Sequence, residues 1–230
     1  MLSFEGSFTI DEGMTTMAQR PVFIPVMDKP EFVQELSFSF TWHPGFAVSQ
    51  KKKNIIALHE AAAQEGLTPL LEISTKSEEE LGRRLSAFNL KIQVAAQKQI
   101  PLECAFQGGK VFRDGGPYLD LYDAHPKAAK RDDRLRNSGP LKAFTFQGET
   151  FPLEPKTLFY DYIYMKSVAT LQIDPAELTK YKGFTDIEFN PKRSINCQAR
   201  AIATYVALYR RGLLEKALES SGSFKSCITD

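Results

Sequence analysis

Apolar and polar positions change rhythm along this chain. In the first third the apolar runs are short and rich in β-branched and aromatic residues: Pro21 to Val26 (PVFIPV), Leu36 to Trp42 (LSFSFTW) and Leu70 to Ser74 (LLEIS). The middle run alternates with period two, the spacing of a strand with one face on a core, so the pattern predicts strands at all three places. Between the second and third, Ile55, Ile56, His59, Ala62 and Ala63 recur at helical spacing. That stripe predicts a helix from Lys51 to about Gln64, with Ser49 as its cap.

After residue 76 the rhythm turns helical. Ser77 and Glu80 stand at the spacing of a capping box and predict a short helix that stops near Ser86. Further helices are predicted from Glu103 to Phe112, Pro126 to Arg136, Thr157 to Leu171, Ala176 to Tyr181 and Asn196 to Glu219. The last carries Ile202, Tyr205, Val206, Tyr209 and Leu213 on one face, a stripe that reads as core. The Ser- and Gly-containing stretch Ser220 to Asp230 reads as a loose end. The expected fold class is α+β. A predominantly helical domain spans residues 71–219, with a strand-bearing N-terminal extension (residues 1–70) packed on it and a flexible tail at 220–230.

Composition narrows what such a domain does. At 230 residues, 43% of them hydrophobic, the chain can bury one sizeable core. Its 29 Lys and Arg nearly balance 28 Asp and Glu, so the whole molecule exerts no strong long-range pull on a polyanion. Any contact with nucleic acid must come from a local patch. The candidates are Lys127, Lys130, Arg131, Arg134 and Arg136, then Lys192 with Arg193, and Lys51, Lys52 and Lys53 at a helix start. Cys104, Cys197 and Cys227 are far apart and in no CxxC or Cys/His spacing, which predicts reduced thiols, no metal and a cytoplasmic setting. No leader-like segment opens the chain and no apolar run reaches the ~18 residues of a membrane span.

One segment concentrates chemistry. If PLECAFQGGKVF is helical, Glu103, Gln107 and Lys110 fall at i, i+4 and i+7 and share a face. Glu103 and Lys110 are then about 10 Å apart along the axis, beyond the i, i+4 pairing that explains most charges on helices. Gly108 and Gly109 each cost roughly 1 kcal/mol in a helix interior, which suggests close approach by a ligand or a tightly packed neighbour. On geometry alone the face is either reactive or simply solvated. His43, His59 and His125 sit in no triad or metal spacing; His59 reads as a core residue and His125, before Pro126, as a cap. Cys104 points about 100° away from Glu103 on a helix, which argues against a thiol nucleophile.

The order of motifs adds a family. Leu85-Ser86-Ala87-Phe88-Asn89, a strand-like spacer, and Glu103-x-x-Phe106-Gln107-x-x-Lys110 resemble the Ser-Asn-Phe motif and the Glu-x-x-(Tyr/Phe)-Gln-Ala-x-Lys helix of the NADAR family. His125 to Arg131 resembles its Pro-x-x-Ala-Lys segment, and Asp186-Ile187-Glu188 with Asn196 resembles its acidic residue and later Gly-x-Asn element. The family's Trp-Gly is replaced by Phe189-Asn190-Pro191. The stretches PGFAVSQKKKNI, LEISTKS, SAFNL and EFNPKRSINCQA are similar to the branch found beside DarT-type DNA ADP-ribosylating toxins, whose members act as antitoxins.

The resemblance implies a hydrolase that cleaves an N-glycosidic bond and removes ADP-ribose from the exocyclic amine of guanine in DNA, without a cofactor. Its partners would be ADP-ribosylated DNA, ADP-ribose as product and a DarT-type toxin. Glu103 and Lys110 are the implied catalytic pair: the carboxylate stabilises charge on the ribose carbon or activates water. Lys110 serves either as proton donor or as a covalent Schiff-base partner. Ser86, Phe88, Asn89, Gln107, Glu188, Asn190 and Asn196 are the implied substrate-binding residues. Gln107 also reads as a structural amide, Ser86 and Asn89 as an ordinary helix-ending turn, and Glu188 as a partner for Lys192 or Arg193. Two other functions stay open: an N-glycosidase acting on a free nucleotide metabolite, and a non-catalytic module that binds ADP-ribose or blocks a toxin.

Overall fold

The computed structural model describes residues 16–28, 31–192 and 194–229. Arg193 lies outside them. In chain order the elements are β1 (Met17–Pro25), β2 (Val33–Thr41), α1 (Val48–Gln64), β3 (Leu70–Glu72), α2 (Glu80–Arg84), β4 (Lys91–Ala95), β5 (Lys98–Pro101), α3 (Leu102–Gly108) and β6 (Lys110–Phe112). A 3-10 turn (Leu119–Asp123) follows, then α4 (Pro126–Ala129), α5 (Arg134–Asn137), β7 (Leu141–Phe146), β8 (Glu149–Phe151), α6 (Leu158–Ala169), α7 (Pro175–Leu178), β9 (Gly183–Thr185), α8 (Gln198–Arg210), α9 (Leu214–Glu219) and α10 (Ser221–Thr229). Helix makes up 41% and strand 22%, in three small sheets, so the fold is mixed α+β and not predominantly helical.

The largest sheet runs β2-β1-β9-β3. β1 pairs antiparallel with both β2 and β9, while β3 lies parallel to β9. This sheet is covered on both faces. Val22 joins Phe38, Phe40, Ile55 and Leu58 in a cluster under α1, whereas Phe23 turns the other way to Leu71, Phe184 and the main core of α6 and α8. Two buried faces explain why PVFIP reads as a continuous apolar run where β2, exposed along one side, alternates. β1 therefore shares a sheet with β9, far along the sequence.

Several helices end or begin elsewhere than their patterns predict, each for a visible reason. α1 starts at Val48 with Ala47 as its cap residue, and Ser49 caps nothing. The Ser77–Glu80 box does not form either: α2 starts after Glu79, while the Ser77 carbonyl accepts from Arg83. The long helix predicted to Glu219 breaks at Gly212 (φ +69), where Gly212 N–H and Leu213 N–H close back on Tyr209 and Leu208 at 2.9 Å. That is a left-handed helix stop which glycine takes without strain. Tyr209, read from its stripe as core, is 37% exposed. The helix predicted from Pro126 splits into α4 and α5, because Asp132 Oδ1 accepts from Arg134 N–H (2.9 Å) and starts a new turn. The Ser/Gly-containing tail forms α10, anchored by Phe224, which is buried against Tyr162.

Candidate active site

α3 is the shortest route to the chemistry. It follows directly on the β4–β5 hairpin and ends at Gly108, so Lys110 is the first residue of β6 and the predicted helix to Phe112 is not formed. The helix stops because its last carbonyls are captured: Gly108 C=O accepts from Tyr118 N–H (2.8 Å) and Gly109 C=O from Thr145 N–H (2.7 Å). Both glycines are there for close neighbours. A Cβ on Gly108 would sit 2.7 Å from the Tyr122 ring, and one on Gly109 would sit 2.6 Å from the Thr145 carbonyl.

Despite the change of element, Glu103, Gln107 and Lys110 meet. Lys110 Nζ donates to Gln107 Oε1 (2.6 Å), and Gln107 Nε2 donates to Glu103 Oε1 (2.8 Å). A lysine offers only donors and an ionised carboxylate only acceptors, so the amide between them has one workable orientation. Gln107 is buried, and Lys110 Nζ lies 5.0 Å from the centre of the Phe106 ring. Burial holds the Lys110 ammonium below the usual lysine range; the Glu103 charge works against that shift and Lys130 adds to it.

Glu103, Phe106 and Gln107 form one wall of a cavity of about 560 Å³. Lys110 does not line it and stands one hydrogen bond behind, on Gln107. Of the other predicted site residues, Phe88, Glu188, Asn190 and Asn196 line the cavity. Asn196 Oδ1 is buried and, among the described residues, has no hydrogen-bond partner, so an acceptor stands unused at the wall. Glu188 Oε2 lies 4.0 Å from Lys76 Nζ. Ser86 and Asn89 are not brought to the cavity. Ser86 is fully buried in a turn whose carbonyl accepts from Asn89 and Leu90, and the Asn89 amide donates to the Arg83 carbonyl at 2.7 Å.

The floor holds groups that sequence spacing did not single out. Gln198, at the start of α8, accepts from Ala87 N–H (2.7 Å) and donates to Asp186 Oδ2 (2.9 Å), tying the Ala87–Phe88 turn to the segment after β9. Asp186 also accepts from Glu188 N–H (3.0 Å). Burial first, and the nearby Glu72 charge second, push the Asp186 carboxyl up to about 7. Glu72, on β3, is buried too and raised by that burial, although it accepts from Thr185 Oγ1 (2.6 Å) and Ile187 N–H (3.0 Å). With its proton given to Glu72, Thr185 Oγ1 accepts from His59 Nε2–H (2.8 Å), which assigns the neutral tautomer protonated at Nε2. Burial lowers the His59 imidazole to about 4. His59 and Glu72 line a separate cavity of about 370 Å³ beside α1. In the sequence Asp186 stands only within the run Asp186-Ile187-Glu188 that resembles the family's acidic residue, and the site candidate from that run is Glu188.

The remaining candidates resolve plainly. Cys104 is buried and donates to the Ala124 carbonyl (3.2 Å), its thiol pushed up to about 11 by burial and then by Glu103. His125 caps α4 by accepting from Lys127 N–H (3.2 Å). Arg134 is held by Asp120 and Asp132, and of the basic run only Lys130 reaches the cavity. Among the described residues no three His, Cys, Asp or Glu side chains are placed to hold a metal ion, and no helix is long and apolar enough to cross a membrane.

The site thus joins a carboxylate and an amine through an amide, beside a cavity with an unused acceptor at its wall. The DarT1-associated NADAR antitoxin family matches residues 18–230, and the chain belongs to that family. The match takes in β1, β2 and α1 as well as the motif-bearing region. A comparison with curated proteins finds no match.

Proposed function

We propose that this antitoxin is an ADP-ribosyl hydrolase that removes ADP-ribose from guanine bases of DNA, undoing the modification made by its DarT1 partner. The observation that carries the reading is the Glu103–Gln107–Lys110 relay at the wall of a 560 Å³ cavity, a size within the roughly 300–1,000 Å³ of sites that take drug-sized ligands. Breaking the bond between the ribose carbon and the guanine amine develops positive charge on that carbon, and Glu103, one of the carboxylates in the lining and the one tied to Lys110 through Gln107, stabilises it.

Lys110 acts as the amine in this reading, because burial favours its neutral form. Its nitrogen turns from Gln107 and attacks the ribose carbon as the bond to guanine breaks. Glu103 carries the proton from the lysine nitrogen to the departing guanine nitrogen. Ring opening then gives a Schiff base, and water releases ADP-ribose and restores the amine. The spare Asn196 oxygen accepts from a ribose hydroxyl, and Gln107 is free to do so once Lys110 leaves it.

Release of ADP-ribose from modified DNA is the measurement. Lys110→Ala is expected to abolish it, and borohydride added to the parent enzyme during turnover is expected to leave ADP-ribose bound to Lys110. Undiminished release by Lys110→Ala would sink the assignment; lost release without a trapped adduct in the parent would make Lys110 the proton donor instead. Faster cleavage of a free nucleotide glycoside than of modified DNA would move the function to metabolite hydrolysis. Protection from the toxin by the Lys110→Ala protein would make it a binding module.

A further inference from the structure

One rim of the cavity is built by the N-terminal segment. Arg20 on β1 and Lys51 in α1 both reach the ring of Trp42, at 5.1 Å and 5.7 Å from its centre. All three line the cavity, with Lys130 and Phe88. Among the described residues no salt bridge uses Arg20, Lys51 or Lys130. Such a cation–aromatic contact is weak, but it holds a long side chain in place before any ligand arrives. Aromatic surface also stays in water here: Phe88, in the lining, is 63% exposed, and Phe46, in the loop that leads from Trp42 into α1 and outside the lining itself, is 100% exposed.

Lys51 and Lys130 outside any salt bridge of the described residues, with Arg20 facing the Asp186 charge and exposed aromatic rings nearby, offer what a single nucleic-acid strand requires: charge for its phosphodiesters and flat faces for its bases. A closed small-molecule subsite has no use for a ring left wholly in solvent, whereas a polymer that continues past the cavity does. In a duplex the base faces are stacked and unavailable to Phe46 and Phe88, and the target base would have to be extruded first. The net charge of +1 leaves such a local rim as the source of attraction.

We propose that this rim binds the single-stranded DNA flanking the modified base, with phosphodiesters on Arg20, Lys51 and Lys130 and neighbouring bases against Phe46 and Phe88. The proposal rests on the reading of the site as one that acts on a base in DNA. Trp42 is the only tryptophan in the chain, so its emission reports on the rim directly. An unmodified single-stranded oligodeoxynucleotide is expected to change that emission saturably, with a Kd that rises with salt. Phe46→Ser, which disturbs no packing, and Phe88→Ser are each expected to weaken binding about fivefold or more, and Lys51→Glu about as much with a flatter salt dependence. Unchanged emission, or a Kd that ignores all three substitutions, would overturn the proposal. So would equal binding of a duplex of the same sequence, or complete competition by ADP-ribose alone, which would make the rim a diphosphate subsite. Binding of unmodified DNA needs no turnover. A protein that binds it through this rim yet releases no ADP-ribose would overturn the functional reading and leave the rim standing.

Discussion

Two regions meet at the cavity and are assembled in opposite ways. The α3 corner is local: its two hydrogen bonds link residues four and three positions apart. The floor is not: Asp186 and Ile187 line the cavity and rest on a layer behind it, where Thr185 and Ile187 reach Glu72 across 113 and 115 positions and His59 reaches Thr185 across 126. The corner places its reactive groups on one short helix and the first residue of the strand that follows, so a change there alters chemistry with little cost to the fold. The floor exists only because β3 lies beside β9, so its charges are tied to folding itself.

The largest expected effect belongs to the corner. Glu103→Gln keeps the size and the hydrogen bond to Gln107 but removes the charge, and release of ADP-ribose is expected to fall about 10³-fold, with the melting temperature close to the parent's. At the floor the weight shifts to stability. Glu72→Gln puts an amide among donors that need a carboxylate, and urea denaturation is expected to show a loss of about 1–3 kcal/mol, while kcat of the folded protein changes only a few-fold. A larger loss of activity than of stability would erase the distinction. Gly109→Ala tests the seam between β6 and the corner: the added carbon meets the Thr145 carbonyl at 2.6 Å and the Phe159 ring at 3.0 Å. Its thermal denaturation is expected to show a cost of about 1–3 kcal/mol, the usual range for overpacking.

The smallest effect is one of pH, and it hides in the parent protein. Asp186 keeps its proton up to about 7 when folded but only to about 4 when unfolded, so its contribution to stability falls as pH rises between those values. His59 runs the other way: folded it takes a proton only near 4, unfolded near 6.5, so its contribution rises with pH over that window. The two slopes largely cancel. Melting temperatures of Asp186→Asn are expected to climb from pH 4 to 6.5, and those of His59→Gln to decline from pH 4 to 7. Parallel profiles for the two variants would show that these groups do not titrate as their burial dictates.

The same contrast explains what could be read from the chain. The meeting of Glu103, Gln107 and Lys110 was legible because it spans so few residues, even though the element is wrong: the predicted helix continues where the structure turns to strand at Lys110. The carbonyl partners that end α3 come from Tyr118 and Thr145, and no local pattern reveals them. β6, β8 and β9 are three residues each, too short for any periodicity to register. β7 does alternate, with Phe144 and Phe146 buried, so a period-two signal stands in the stretch between the two predicted helices, for which no element is predicted. Asp186 and Gln198 gain their roles only from each other and from Ala87, so residue type and spacing alone could not mark them.

The position of β9 also sets a schedule. β1 ends at Pro25, and the strand it needs on its inner edge begins at Gly183. At roughly 5–20 residues per second of synthesis, the hairpin waits on the order of ten seconds with that edge open. Until Gly183 to Thr185 emerge, β3 has no neighbour and the floor does not exist, while the segments of the Glu103 corner are already made. An antidote built this way is finished late in its own synthesis, and during that interval the open edge of β1 is exposed to wrong pairing.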